Sequence, residues 1–491
     1  NLNSLQMRDK ILQIEKTAKL LSPDYSSRGE WTDKIVGFTQ DFIENLESKR
    51  AYHNIDLKNT QLNLQITENG VELDQILDEL SRFMINQGLN PASGGHLGYI
   101  PGGGIYAGAL GDLLAAVTNQ YAGIYYGGPG AVKIENELIR WMCSLMGFPS
   151  TSLGNLTSGG SIANLIAIVT AREAFEIKSK GIDQLCLYLT DQVHHCVHKA
   201  IRIAGLAESQ IRTIPLDAFY RMDSHALEAQ ILKDKALGLK PFLVVATAGT
   251  TDTGAMDPLK EIGLIAQEQN IWFHVDAAYG GFFILSEMDH PEKGSVKAAF
   301  SGIDLADSVA IDPHKGLFLS YGLGAVLIKD VKSMYKAHFY RAAYMQDTWN
   351  PEDEFSPADL SPELTKHFRG LRLWMALHLH GIKPFVAALD EKLLLTRYFY
   401  SEIQKMGFEV GPFPDLSVCI YRYIPSSGDV NEFNQRIVEY IVKIGNVFVS
   451  STTINGDYWI RIAILSFRTH IREIDIYLND LKQALNALTE K

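Results

Sequence analysis

Cysteine is scarce in this chain: four in 491 residues, Cys143, Cys186, Cys196 and Cys419. No two form a C-x-x-C pair, which excludes the zinc and redox motifs built on that spacing. Their scatter suits reduced thiols in a cytoplasmic compartment, each a small core residue. Positive charge is in deficit, with Lys and Arg at 45 against 57 Asp and Glu, a net charge of −12. Nucleic-acid binders need a basic face, so no nucleic-acid partner is expected. No apolar run approaches the ~18 residues that read as a membrane span, so no membrane partner is expected either. The opening "NLNSLQMRDKILQ" lacks a signal-peptide pattern. There is no internal repeat and no low-complexity tract. The glycines of "GTTDTGA" and "GLGAVL" do not make the G-x-G-x-x-G of a nicotinamide dehydrogenase. His194, His195 and His198 lack the Glu of an H-E-x-x-H zinc site and have no evident third ligand, so no metal is expected.

What is present is a change of pattern along the chain. Residues 1–95 repeat apolar residues at three-to-four spacing in "DKILQIEKTAKLL" and "WTDKIVGFTQDFIENL", with "SPDYSS" as a break. This predicts a helical N-terminal arm that packs on something else, such as a second subunit. Residues 96–375 alternate helical stretches with short apolar runs: "LCLYLT", "FLVVATAG", "IWFHVDAA", "DSVAID" and "GAVLIKD". Continuous apolar strands between helices predict an α/β domain with a mostly parallel sheet covered on both faces. Residues 338–363, polar and rich in Asp and Glu, read as a lid or an unstructured loop. Residues 376–491 predict a small α+β domain. It begins in a long helical stretch broken at Gly381–Pro384, and "LSVCIYRYI", "NVFVSS" and "YWIRIAI" are its strands.

Ligands of parallel sheets sit beyond the carboxyl ends of the strands, so polar residues there need a functional explanation. Asp276 ends an apolar strand, where a carboxylate is costly unless a cation meets it. Lys315 follows another strand in "SVAIDPHKGLF". Desolvation there lowers the amine's pKa and frees a neutral nucleophile, as a Schiff-base lysine requires; a lysine snorkelling to solvent is the alternative. Ser158–Ser161 in "LTSGGSIAN" open a helix, which suits an anion site or an ordinary capped loop. His194 and His195 follow "LCLYLT". Together a phosphate site, a Schiff-base lysine and a carboxylate for a ring nitrogen make the binding kit of pyridoxal 5'-phosphate (PLP). Asp276's cation is then the protonated pyridine nitrogen.

"TSGGSIANLIAIVTAR", "HVDAAYGG" and "ADSVAIDPHKG", in this order of the chain, resemble the group II PLP-dependent amino-acid decarboxylases, which include aromatic-amino-acid, glutamate and diaminobutyrate decarboxylases. The resemblance covers about residues 80–400 well. It implies PLP fold type I (aspartate-aminotransferase-like), with residues 96–375 binding the cofactor, and a homodimer with shared active sites. It implies Lys315 as the Schiff-base lysine, Asp276 as the pyridine-nitrogen partner and His194 as the residue stacked on the ring. Gly160, Ser161 and His314 then hold the phosphate, and Thr247 and Ala278 lie beside the ring. Tyr344, in the polar loop, matches a tyrosine that reaches the partner subunit's site and protonates the α-carbon. Asp312 stands where many members carry Asn; a carboxylate is awkward beside phosphate, so it is expected to point elsewhere. Gly316 stands where many carry Trp. The Gly-rich "HLGYIPGGGIYAG" and "YYGGPGAVKIE" weaken the assumption of an aromatic substrate.

The implied activity is decarboxylation of an L-amino acid to its amine and CO2. The alternatives are a PLP-dependent carbon–carbon lyase resembling sphingosine-phosphate lyase, and a cofactor-binding scaffold without turnover. Function resides in the site, so the fold alone does not name the amino acid.

Overall fold

The computed structural model of the chain describes residues 3–55, 62, 64–340 and 354–489. They divide into two compact units, Asn1–Asn90 and Pro91–Lys491.

In the first unit the predicted helices form at Ser4–Ala18 and Tyr25–Glu44. Asp24 caps the second through a 2.8 Å bond from the Ser27 N–H, so the break at "SPDYSS" shrinks to its first three residues. Neither helix buries a residue: Leu5, Ile11, Ile14 and Trp31 are all exposed.

The second unit is built on a seven-stranded sheet. In chain order its strands are β1 (Leu153–Thr157), β2 (Leu185–Leu189), β3 (Gln210–Thr213), β4 (Lys240–Thr247), β5 (Trp272–Asp276), β6 (Ser308–Ile311) and β7 (Gly324–Ile328). Across the sheet they lie β1-β7-β6-β5-β4-β2-β3. β7 alone opposes its neighbours, pairing antiparallel with β6 and β1. The α/β, mostly parallel expectation is met. All five predicted runs are strands, because Val, Ile, Leu and Phe bury on both faces.

Two strands carry no such signal. β1, "LGNLT", is interrupted by Gly154 and Asn155; a Cβ on Gly154 would lie 1.8 Å from the Val326 carbonyl oxygen, so the close approach of β7 demands glycine. β3, "QIRT", is an edge strand with half-buried polar residues.

Toward the C-terminus, helices Gly370–His380 and Lys383–Lys405 are separated at the predicted break, with Gly381 at φ 66°. A four-stranded antiparallel sheet follows, β8 (Glu409–Val410), β9 (Val418–Arg422), β10 (Ser450–Ile454) and β11 (Asp457–Ala463), in the order β8-β9-β11-β10. Its core holds Phe399, Tyr421, Ile437, Ile460 and Tyr477. The strand expected over "NVFVSS" lies later. Asn455 and Gly456 take left-handed backbone and close a β10–β11 hairpin, and that turn, not the apolar run, sets the register.

The stretch over 338–363, expected as a lid or an unstructured loop, is tied down at its described ends. His338 ends a helix. Glu354 accepts bonds from Arg140 at 2.6 Å and Asn136 at 2.9 Å, and Pro357 O accepts one from buried Asn155 at 2.8 Å. Tyr344 and the rest of 341–353 lie outside the described residues.

Candidate active site

Parallel strands bring their carboxyl ends to one edge of the sheet. Asp276 is the last residue of β5, and Asp312 follows β6 and leads into a short helix, Pro313–Gly316, that carries Lys315. Ser158 and Gly159 follow β1 and lead into helix Gly160–Ala174. His194 follows β2 as the N-cap of helix His195–Ile203, and Thr247 ends β4. Because β7 runs the other way, its first residue, Gly324, joins the same edge.

All of these but Gly324 line a cavity of about 300 Å³. Lys315, Asp276, His194, Gly160, Ser161, Thr247, Ala278 and His314 all line it. Tyr344 falls outside the described residues.

Lys315 Nζ lies 3.1 Å from Asp312 Oδ2. Burial opposes its ammonium charge, but the Asp312 and Asp276 carboxylates outweigh burial and hold the amine above its ordinary range. The expected neutral amine is therefore corrected: without cofactor Lys315 is a paired cation. Asp276 accepts from Ala278 N at 3.1 Å and from Asn164 Nδ2 at 3.2 Å. Burial pushes its pKa up, while Lys315 and both hydrogen bonds favour the anion.

His314 Nδ1 donates to the Leu323 carbonyl at 2.6 Å, since a carbonyl can only accept. Its Nε2 stands 3.7 Å from Asp312 Oδ2. His194 Nδ1 accepts from Cys196 N at 3.3 Å, and its ring lies 4.1 Å from that of His195. Burial, with His195 and Lys315 adding to it, lowers the His194 pKa to about 4, so the ring is neutral.

Asp312 does not point elsewhere. It is buried on the cavity wall against the start of the Gly160 helix. A Cβ on Gly160 would lie 3.1 Å from Asp312 Oδ2, and one on Gly324 would lie 2.5 Å from Oδ1. Strand β6 fixes the Asp312 backbone, and the glycines leave its side chain only this space.

The site fits PLP on its own chemistry. Gly159 supplies no side-chain cap, so the first N–H groups of helix Gly160–Ala174 are free for an anion. Thr247 Oγ1 and Asp312 Oδ1 are buried without partners among the described residues, and both residues line the cavity. An amine and a carboxylate stand on adjacent strand ends. Among the described residues no group of three or more His, Cys, Asp or Glu is arranged to hold a metal ion.

Sequence reasoning missed Asn164 and His274. Asn164 lies four residues into the helix from Gly160. His274 precedes Asp276 by two and so shares its face of β5. That period-two spacing was the available signal.

A family model described as the pyridoxal-dependent decarboxylase conserved domain matches residues 56–422. An aromatic-L-amino-acid decarboxylase of Bacillus atrophaeus is 34% identical over 449 residues, covering 90% of this chain and 92% of its own. An L-2,4-diaminobutyrate decarboxylase of Acinetobacter baumannii is 27% identical, covering 86% of each. In fold, the chain superposes on the crystal structure of Oryza sativa TDC with PLP and tryptamine with TM-score 0.88 at 23% identity, over 95% of this chain and 99% of that one. The architecture is PLP fold type I.

Proposed function

We propose, from the premise that this chain belongs to the pyridoxal-dependent decarboxylases and is a PLP-dependent carboxy-lyase acting on an amino acid, that it converts an L-amino acid to the corresponding amine and CO2 with Lys315 as the cofactor's covalent anchor. The observation that carries this reading is that Lys315 and Asp276 line one cavity, Asp276 ending β5 and Lys315 following its parallel neighbour β6.

The chemistry PLP supplies when bound is electron withdrawal from the substrate's α-carbon. This chain's residues provide the rest. The Lys315 amine would hold the cofactor covalently through its aldehyde group. Asp276 holds a proton on the ring nitrogen. Gly160 and Ser161, with His314, bind the phosphate, while Thr247 and Ala278 border the ring. His194, neutral, covers the ring. Tyr344 delivers the proton to the α-carbon after CO2 departs, directly or by relay through His194. The 338–356 segment excludes water from the reacting carbon.

The homodimer is part of the same reading. The apolar residues exposed along Ser4–Ala18 and Tyr25–Glu44 suit a second copy of this chain, and light scattering should give twice the 54.7 kDa chain mass. Four free, buried cysteines suit a cytoplasmic location.

The test is a panel of aromatic, acidic and basic L-amino acids, with CO2 and amine measured together, alongside a phosphorylated amino-alcohol substrate. Stoichiometric CO2 and amine from an amino acid supports the reading. Aldehyde without CO2 from the phosphorylated substrate identifies a carbon–carbon lyase instead. Replacing Tyr344 with Phe should cut amine formation at least tenfold and raise aldehyde by-product; unchanged amine yield removes Tyr344 from the chemistry.

A further inference from the structure

Behind Asp276 a line of hydrogen bonds runs into the protein. Asn164 Nδ2 donates to Asp276 Oδ2 at 3.2 Å and to the Gly160 carbonyl at 2.9 Å. Asn164 Oδ1 lies 2.6 Å from His274 Nε2, and His274 Nδ1 lies 2.8 Å from Ser308 Oγ. Ser308 Oγ in turn accepts from Trp272 Nε1 at 2.9 Å. All five side chains are buried.

Elimination fixes where the hydrogens lie. A carboxylate and a backbone carbonyl only accept, so Asn164 must turn its NH2 toward Asp276 and Gly160. Its oxygen is left for His274, and Nε2 therefore carries the hydrogen. A neutral imidazole has one N–H, so Nδ1 accepts, and the Ser308 hydroxyl must donate to it. The indole of Trp272 only donates and fills the Ser308 lone pair. Every hydrogen in the line points toward Asp276. Burial lowers the His274 pKa to about 4, which keeps the ring in the neutral form the line requires.

The two ends of an asparagine amide have nearly the same shape, so hydrogen bonding alone selects between them. With the amide reversed, an oxygen would face Asp276, and the carboxyl would have to take a proton to bond to it. A neutral Asp276 is no counter-ion for a protonated ring nitrogen. The Gly160 carbonyl favours the observed end, and the His274 N–H adds to it and polarises the amide.

We propose that His274 is a positioning residue: its Nε2–H fixes the Asn164 amide and so keeps Asp276 ionised toward the cofactor's ring nitrogen. This rests on the reading that Asp276 faces that nitrogen.

The test loads the full-length protein with PLP carrying 15N in the ring and follows the nitrogen shift from about pH 6 to 9, alongside cofactor affinity. In the wild type the nitrogen stays protonated across that range. His274→Phe keeps a ring but loses the N–H. It should lower the ring-nitrogen pKa by about one unit, a tenfold change in that equilibrium, and weaken cofactor binding severalfold. His274→Gln, whose amide can donate, should restore much of the difference. Ser308→Ala, which frees the imidazole tautomer, should shift the titration in the same direction by less. A wild-type titration in folded, loaded His274→Phe overturns the inference; should that variant not fold, a wild-type titration in Ser308→Ala does so. Failure of the wild type to bind PLP, or an unprotonated nitrogen in the loaded wild type, instead overturns the assignment of Asp276.

Discussion

Asp312 is where a single side chain changes the chemistry of the site most. Its Oδ2 pairs with Lys315 at 3.1 Å, and its Oδ1 has no partner among the described residues. In the proposed site the cofactor's phosphate enters beside it at Gly160, so two anions share one wall. Asp312→Asn removes the repulsion and keeps the shape. Cofactor affinity measured by fluorescence quenching at about pH 8 should rise roughly tenfold, or ~1.4 kcal/mol, in the variant. Weaker binding in Asp312→Asn would show that the carboxylate instead helps to hold the phosphate. Asp312 was visible in the sequence, but its direction was not. Orientation depends on Gly160 and Gly324, which arrive from separate elements and leave room on one side only. The charge state of Lys315 was hidden for the same reason, since two carboxylates distant in sequence outweigh its burial.

Among the elements, the meeting of β7 with the Gly160 helix start is a tight joint of the site. A Cβ at Gly324 would lie 2.6 Å from Gly159 backbone as well as 2.5 Å from Asp312 Oδ1, so backbone must shift. Gly324→Ala is expected to lower stability by about 1–3 kcal/mol in thermal unfolding and to weaken cofactor binding, because the displaced N–H groups are the proposed phosphate donors. A variant with unchanged melting temperature and affinity would show that the joint is slack. The strands around this joint differed in how clearly they could be read. β2, β4, β5, β6 and β7 stand out because burial on both faces demands an unbroken apolar run. β1 does not, since backbone approach forces Gly154 into it. Lys315, Asp276 and His194 were legible as polar residues at strand ends. His274 was signalled only by its two-residue spacing from Asp276, and Asn164 not at all, because only the folded sheet brings helix and strand within 2.6 Å.

For the molecule as a whole, buried neutral histidines set an acid limit. His96 and His274 are fully buried, and burial lowers each to about pH 4 from an ordinary 6.5. Their folded-state values lie below their unfolded ones, so the unfolded chain binds more protons between the two. Stability is then complete above about pH 6.5 and declines as pH falls toward 4, by roughly 2 kcal/mol per histidine at pH 5. Urea midpoints should fall steadily from pH 7 to pH 5 in the wild type and less in His96→Phe, with measurements made on the cofactor-free protein at about equal ionic strength. Equal slopes in both proteins would show that His96 is not buried neutral. The seven-stranded sheet and its helices serve one end, which is to hold an amine and a carboxylate in the wall of one cavity of about 300 Å³. The most direct measurement of that claim is to add PLP to the purified protein, reduce with borohydride, digest, and map the modified peptide by mass spectrometry. The account predicts one phosphopyridoxyl group per chain, on Lys315, lost in Lys315→Ala. Labelling spread over surface lysines, or full labelling that persists in Lys315→Ala, would contradict it.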